Sequence, residues 1–173
     1  MNYRIEAIIE LLNEDCIVAR NYPLIPYKYT LVNRLRSIGC LTKSDCLELS
    51  AEALVSAGLP DAELADLFKR FLVMYDVKPQ KLKEIDTLCE TPEEKKAFRE
   101  LYQLPGVKHK RAFLYYKAGY RSLQAIASSS PEEIISKTEE TIQKERLELK
   151  VPLMKEVRTH IAVARAFTHY YAD

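Results

Sequence analysis

Apolar residues recur along this chain at the three- and four-residue spacing of helices that bury one face. Ile5, Ile8, Ile9, Leu11 and Leu12 predict an amphipathic helix near residues 3–14, and Tyr22-Pro23 break it. Leu31, Leu35 and Ile38 predict a second helix from Tyr27 to Ile38, with Gly39 as its stop. Short helices are expected from Thr42 and Ser50. Leu64, Leu67, Phe68, Phe71, Leu72 and Tyr75 mark a core helix that opens near Pro60-Asp61. A further helical run spans Leu82 to Leu88. Thr91-Pro92-Glu93-Glu94 then carries a hydroxyl cap, a proline at the first helical position and a glutamate at the third, so a helix should run from there to about Tyr102. Ser130-Pro131-Glu132-Glu133 repeats that signature. A last long helix is expected from near Pro152 through Val157, Ile161, Ala164 and Phe167. No segment has the alternation of a strand.

Sliding the sequence on itself by about 80 residues brings Leu24 over Leu104, Lys28 over Lys108, Gly39 over Gly119, Thr42 over Ser122, Glu52 over Glu132 and Leu54 over Ile134. These positions start, stop and face helices. The expected architecture is therefore all-α: two tandem helical repeats packed together, residues 1–79 and 80–173, with a long C-terminal helix in the second. Short helices cannot bury their apolar faces alone, and pairing two copies pools those faces into one core.

Composition narrows the class. The 173 residues are 47% hydrophobic, enough for a packed core, and contain only four glycines, few for the turns of a multi-stranded sheet. Lys+Arg 26 against Asp+Glu 25 leaves a net charge of +1, which argues against coating nucleic acid by bulk charge. The first residues lack the apolar run of a signal peptide, and no stretch approaches a membrane span, so a cytoplasmic protein without membrane contact is expected. Cys16, Cys40, Cys46 and Cys89 form no CxxC pair, which suits reduced, buried thiols better than zinc or disulfides.

Charge is nonetheless segregated. No Asp or Glu occurs between Glu100 and Glu132, where Lys108, Lys110, Arg111, Lys117 and Arg121 lie; the stretch between Asp15 and Asp45 is likewise acid-free and holds Arg20, Lys28, Arg34, Arg36 and Lys43. Basic residues in such stretches either meet phosphates or pair with acidic helices elsewhere in the chain. Tyr22, Tyr27, Tyr29, Tyr115, Tyr116 and Tyr120 stand nearby and suit either base stacking or half-buried packing.

Within the second basic stretch, Leu104-Pro105-Gly106-Val107-Lys108-His109-Lys110-Arg111-Ala112 resembles the turn of the helix-hairpin-helix family, whose pattern is apolar-x-Gly-apolar-Gly-x-x-x-Ala. Ala118-Gly119-Tyr120-Arg121-Ser122-Leu123 and Ser130-Pro131-Glu132-Glu133-Ile134 resemble the segment that continues such domains in their tandem, SAM-like form. The likeness covers about residues 104–134. It implies that backbone N–H groups at the start of the second helix meet a nucleic-acid phosphate without reading sequence. The resemblance implies contacts at Gly106, Lys108 and the N–H groups after it; the acid-free stretches add Lys110, Arg111, Lys117 and Arg121, with Lys28 and Arg34 in the first copy. Two departures bear on this: Lys108 stands where the pattern has its second glycine, and Pro26 stands at the counterpart of Gly106.

No catalytic constellation competes with this reading. His109, His160 and His169 have no metal-binding spacing such as HExxH, Ser128-Ser129-Ser130 lies in no nucleophile elbow, and there is no glycine-rich phosphate loop. No enzyme, cofactor or metal is expected. The first expectation is non-catalytic binding of DNA or RNA backbones. The alternative is a protein-interaction or scaffolding module that kept the repeats and lost phosphate binding. A third reading uses Val157, Ile161, Ala164, Phe167 and Tyr171 of the last helix as an exposed oligomerisation stripe.

Overall fold

The computed structural model describes residues Met1–Asp173. The chain is all-helical and forms two compact units: Met1–Tyr75 with Ala166–Asp173, and Asp76–Arg165. The division falls at Tyr75/Asp76, four residues before the boundary expected after residue 79, and the last eight residues belong with the first unit.

The first unit contains α1 (Ala7–Leu11), a 3-10 helix (Ala19–Tyr27), α2 (Lys28–Ser37), α3 (Lys43–Glu48), α4 (Ala51–Ser56) and α5 (Ala62–Val73). Thr42 and Asp45 close a reciprocal capping box at α3, and Ser50 and Asp61 cap α4 and α5. Each cap satisfies an N–H that would otherwise lack an acceptor at the helix start.

Two segments depart from the hydrophobic pattern. Residues 3 and 4 form isolated bridges, Tyr3–Tyr171 and Arg4–Thr42, and Ile5 lies in a turn rather than a helix, with N–H groups taken elsewhere: Arg4 donates to Tyr170 O at 2.7 Å and Ile5 to Leu41 O at 3.0 Å. Only Ala7–Leu11 remains of the helix expected over 3–14. Tyr22-Pro23, expected as a break, lies inside the 3-10 helix with Pro26. That helix runs straight into α2, whose Lys28 is already helical at its start.

The first unit's core joins Ile5, Ile8, Leu11, Leu31, Leu35, Leu54, Phe68, Phe71 and Leu72, all at most 1% exposed. Its aromatic centre is Tyr3, Tyr75 and Phe167. Phe167 lies 5.4 Å from the Tyr3 ring and 5.1 Å from Tyr75, the latter edge-on. Edge-to-face contacts of this kind add to the area they bury.

The second unit contains α6 (Pro79–Leu88), α7 (Pro92–Leu101), α8 (His109–Lys117), α9 (Leu123–Ala127), α10 (Pro131–Glu145) and most of α11 (Met154–His169). Thr91 and Glu94 form the capping box anticipated for α7; Ser122 and Ser130 cap α9 and α10. α10 ends on Arg146 in the left-handed region at φ 52°, where glycine is the usual occupant.

Val157, Ile161, Ala164 and Phe167 on α11 are at most 4% exposed, so the stripe considered for oligomerisation is spent inside the chain; of its members only Tyr171 is exposed. All four cysteines are free and buried. No helix is long and apolar enough to cross a membrane.

Candidate functional site

α7 and α8 form a helical hairpin whose connection runs through Leu104-Pro105-Gly106-Val107 to Lys108. The apolar positions of the turn face inward: Leu104 is 2%, Val107 7% and Ala112 0% exposed. Gly106 has φ +73°, a conformation that L side chains rarely adopt, and open space where a Cβ would stand. Here glycine is required by the backbone and not by crowding.

Lys108, at the position of the pattern's second glycine, has φ −121° and ψ 179°. This is ordinary extended backbone, open to any residue, so the lysine is accommodated without strain.

Lys108 is the N-cap of α8, and its side chain caps nothing. The first helical bond is donated by Ala112 to Lys108 O at 3.0 Å, which leaves the N–H groups of His109, Lys110 and Arg111 without helical acceptors. The unpaired donors and the helix dipole make this end electropositive. Lys108 and Lys110 are exposed and form no ion pair. They border an open cleft of about 600 Å³ whose charged lining is Lys81, Lys108, Lys110, Arg111 and Lys150 against Glu84, Glu148 and Glu156. Lys81 pairs with Glu84 at 2.6 Å and Arg111 with Glu156 at 2.8 Å. What remains is Lys108, Lys110 and Lys150 against Glu148, a local cationic surplus.

The turn is held from α11 by two side chains four residues apart. Glu156 receives both Arg111 Nε at 2.8 Å and Nη2 at 3.2 Å, while Arg111 Nη1 donates to Lys150 O at 2.9 Å. One turn further, His160 is 1% exposed and lies 2.9 Å from Pro105 O through Nε2 and 2.7 Å from the Tyr115 hydroxyl through Nδ1. A carbonyl can only accept, so Nε2 carries the proton and Nδ1 of the neutral ring accepts from Tyr115. Arg111 and Tyr115 are themselves one turn apart on α8. Two rungs therefore join α8 to α11, and the lower one grips the residue before Gly106.

Burial pushes the His160 pKa below its usual 6.5, with the Pro105 carbonyl opposing the shift. The unfolded chain takes up this proton first as pH falls. The imidazole's contribution to stability is thus complete above about pH 6.5 and is lost as pH drops below it. Urea midpoints should fall between about pH 7.5 and 5.5, and this slope should flatten in His160→Leu. An unchanged slope in the variant would assign the effect to carboxylates instead.

The remaining basic candidates are engaged within the chain. Lys117 meets Glu145 at 3.6 Å and Arg121 meets Glu93 at 3.0 Å, with the Arg121 guanidinium 4.8 Å over the Tyr116 ring. Lys28 is 8% exposed, and its Nζ donates to Asn13 Oδ1 at 2.6 Å and Leu12 O at 3.4 Å. Arg34 donates to Ser56 O at 3.2 Å. In the first unit, moreover, the 3-10 helix leads directly into α2 and Lys28 N–H is bonded to Ile25 O, so no open helix start exists there.

Of the six tyrosines beside the basic stretches, Tyr115 and Tyr120 are buried; Tyr22 and Tyr29 are exposed. Glu156, Lys81 and Lys150 were not singled out from the sequence, and His160 was weighed there only as a metal ligand. Their only mark is the four-residue spacing of Glu156 and His160, which does not name a partner 45 residues upstream. No group of three or more His, Cys, Asp or Glu residues is placed to hold a metal ion.

No curated protein and no solved structure matches the chain. Residues 93–167, a little under half of it, match a family model described as a domain of unknown function (DUF4332). The matched stretch runs from the first turn of α7 to near the end of α11, and the residues of the hairpin turn, the start of α8 and both rungs from α11 fall within it.

Proposed function

We propose that the second unit binds the sugar–phosphate backbone of DNA or RNA, without sequence specificity and without catalysis, at the turn between α7 and α8. The observation that carries this reading is the open start of α8: free N–H groups at His109 and Lys110, flanked by unpaired Lys108 and Lys110 and approached past the bare Gly106. An oxyanion there would gain the dipole, the unpaired donors and two ammonium groups together. Phosphate contacts alone carry no sequence information.

The reading includes a duplication of the helical unit. Support comes from local geometry about 80 residues apart. Gly39 and Gly119 both end helices at positive φ, Cys40 N–H to Leu35 O is matched by Tyr120 N–H to Tyr115 O, and the caps at Thr42 and Ser50 are matched at Ser122 and Ser130. In this view the first copy replaced its glycine turn by the proline-containing 3-10 helix and gave up the anion site. The second reading, a protein-interaction or scaffolding module, is favoured by the internal engagement of Lys28, Arg34, Arg111, Lys117 and Arg121.

The test is anisotropy of labelled single- and double-stranded DNA and RNA. With two or three phosphates neutralised, affinity should fall about 10- to 40-fold between about 50 and 200 mM salt. Lys108→Glu/Lys110→Glu should weaken binding further and flatten the salt dependence. Absence of binding at about 50 mM salt would remove the nucleic-acid reading and leave the interaction module.

A further inference from the structure

The first unit holds a close pair of thiols, separate from the hairpin turn. Cys40 and Cys46 are both free, and their sulfurs lie 3.1 Å apart. Cys16 and Cys89 are also free thiols. The pair closes a short surface loop between α2 and α3. Gly39, at φ +80°, turns the chain out of α2, and the Cys40 N–H returns to Leu35 O at 3.0 Å. The Asp45 carboxylate then gathers the N–H groups of Leu41 and Thr42 at 2.9 and 2.8 Å, and the Cys46 N–H is bonded to Thr42 O at 3.1 Å. These bonds, with Ile5 N–H on Leu41 O at 3.0 Å and Lys43 N–H on Tyr3 O at 2.8 Å, fold the loop back on itself and bring the two sulfurs together.

The surroundings are those of an exposed loop over a covered pair. Ile38 is 61% and Leu41 53% exposed, whereas Cys40 is 5% and Cys46 0% exposed. A modest opening of residues 38–41 would uncover Cys40 first.

We propose that Cys40 and Cys46 are a reversible oxidation site, forming an intramolecular disulfide with a low-molecular-weight disulfide such as oxidised glutathione as the oxidant. The Cys40 thiolate attacks one glutathione sulfur; the glutathione S–S bond breaks, and the departing glutathione thiolate takes up a proton. Cys46, as thiolate, then attacks the Cys40 sulfur of the mixed disulfide and expels the second glutathione, which is protonated in turn. Two protein thiols are oxidised to one disulfide and one glutathione disulfide is reduced to two thiols. Burial raises both thiol pKa values, more strongly for Cys46, while the contact with Cys46 favours the Cys40 thiolate. The order of attack follows from this and from exposure. The reaction is slow near neutral pH and faster in mild alkali, because the thiolate is the nucleophile.

The experiment treats the folded full chain with oxidised glutathione at about pH 8, where more thiolate is available. The protein is then denatured, alkylated with N-ethylmaleimide, digested and weighed. The expected result is a disulfide between Cys40 and Cys46, with Cys16 and Cys89 alkylated, reversed by dithiothreitol. In Cys46→Ser the second step has no nucleophile, so a glutathione adduct should accumulate on Cys40. Circular dichroism establishes that this variant is folded. Alkylation of all four cysteines in the wild type, under conditions that oxidise the urea-unfolded chain, overturns the proposal. So does a disulfide or adduct found on Cys16 or Cys89 instead.

Discussion

His160→Leu should lower the stability of the protein by about 3 kcal/mol, the largest effect expected from any single side chain at the candidate site. Leucine is close to imidazole in size, so the substitution leaves little cavity, and its cost is chiefly that of one buried and one part-buried polar group losing their partners. The Tyr115 hydroxyl, on a residue 0% exposed, would lose Nδ1, and the Pro105 carbonyl would lose the Nε2 proton. Each unpaired buried group costs about 1–3 kcal/mol. Adding Tyr115→Phe removes one of the stranded groups. The double variant should therefore be no less stable than His160→Leu alone, and about 1 kcal/mol of the loss should return. Urea denaturation of the four proteins in this cycle measures it. Additive losses would show that the two side chains do not act as a pair.

The same cycle separates stability from function. His160 touches no part of the cleft's open face, but it holds the residue before Gly106. Loosening that grip should weaken binding at the turn even under conditions where the variant remains folded, without altering how binding depends on salt. Hydrogen exchange at the Val107 and Ala112 amides, which are bonded to Leu104 O and Lys108 O, provides the structural readout, since a loosened turn exposes them more often.

Which parts of this structure could be read from the sequence follows from how local their causes are. The starts of α3, α4, α5, α7, α9 and α10 were legible because a Thr, Ser or Asp cap and its acceptor geometry lie within four residues. Gly39 and Gly119 were legible as helix stops for the same reason. Residues 3–5 were not, because their helical periodicity is overridden by acceptors at Leu41 and Tyr170. Nor was the 3-10 helix, since prolines remove helical donors and two of them three residues apart read as a break, whereas here both lie inside the helix. At the candidate site the glycine turn was visible as a motif. The fate of each cation was not, because a lysine that contacts solvent and one that is buried against Asn13 look alike in sequence. Acid-free stretches describe neighbours along the chain, whereas Arg111, Lys117 and Arg121 find their carboxylates 28 to 45 residues away.

Arg111 gives the sharpest division between a cation that binds and one that builds. Its side chain is 19% exposed and that of Glu156 32%, with two hydrogen bonds between them and a third to Lys150 O. A fully buried pair broken by removing one partner would cost about 3–5 kcal/mol; partial solvent access at this pair reduces the expected loss to about 2 kcal/mol for Arg111→Ala or Glu156→Ala. The double variant should lose clearly less than the sum, because the second removal strands nothing new. Binding makes the distinction independent of stability. If Arg111 only positions the start of α8, Arg111→Ala weakens binding but leaves the dependence of affinity on salt unchanged, while Lys108→Ala lowers the slope by about 1. A slope that falls equally in both variants would mean that Arg111 leaves Glu156 to meet a phosphate, and that the ion pair seen here is the resting state of the site and not its support.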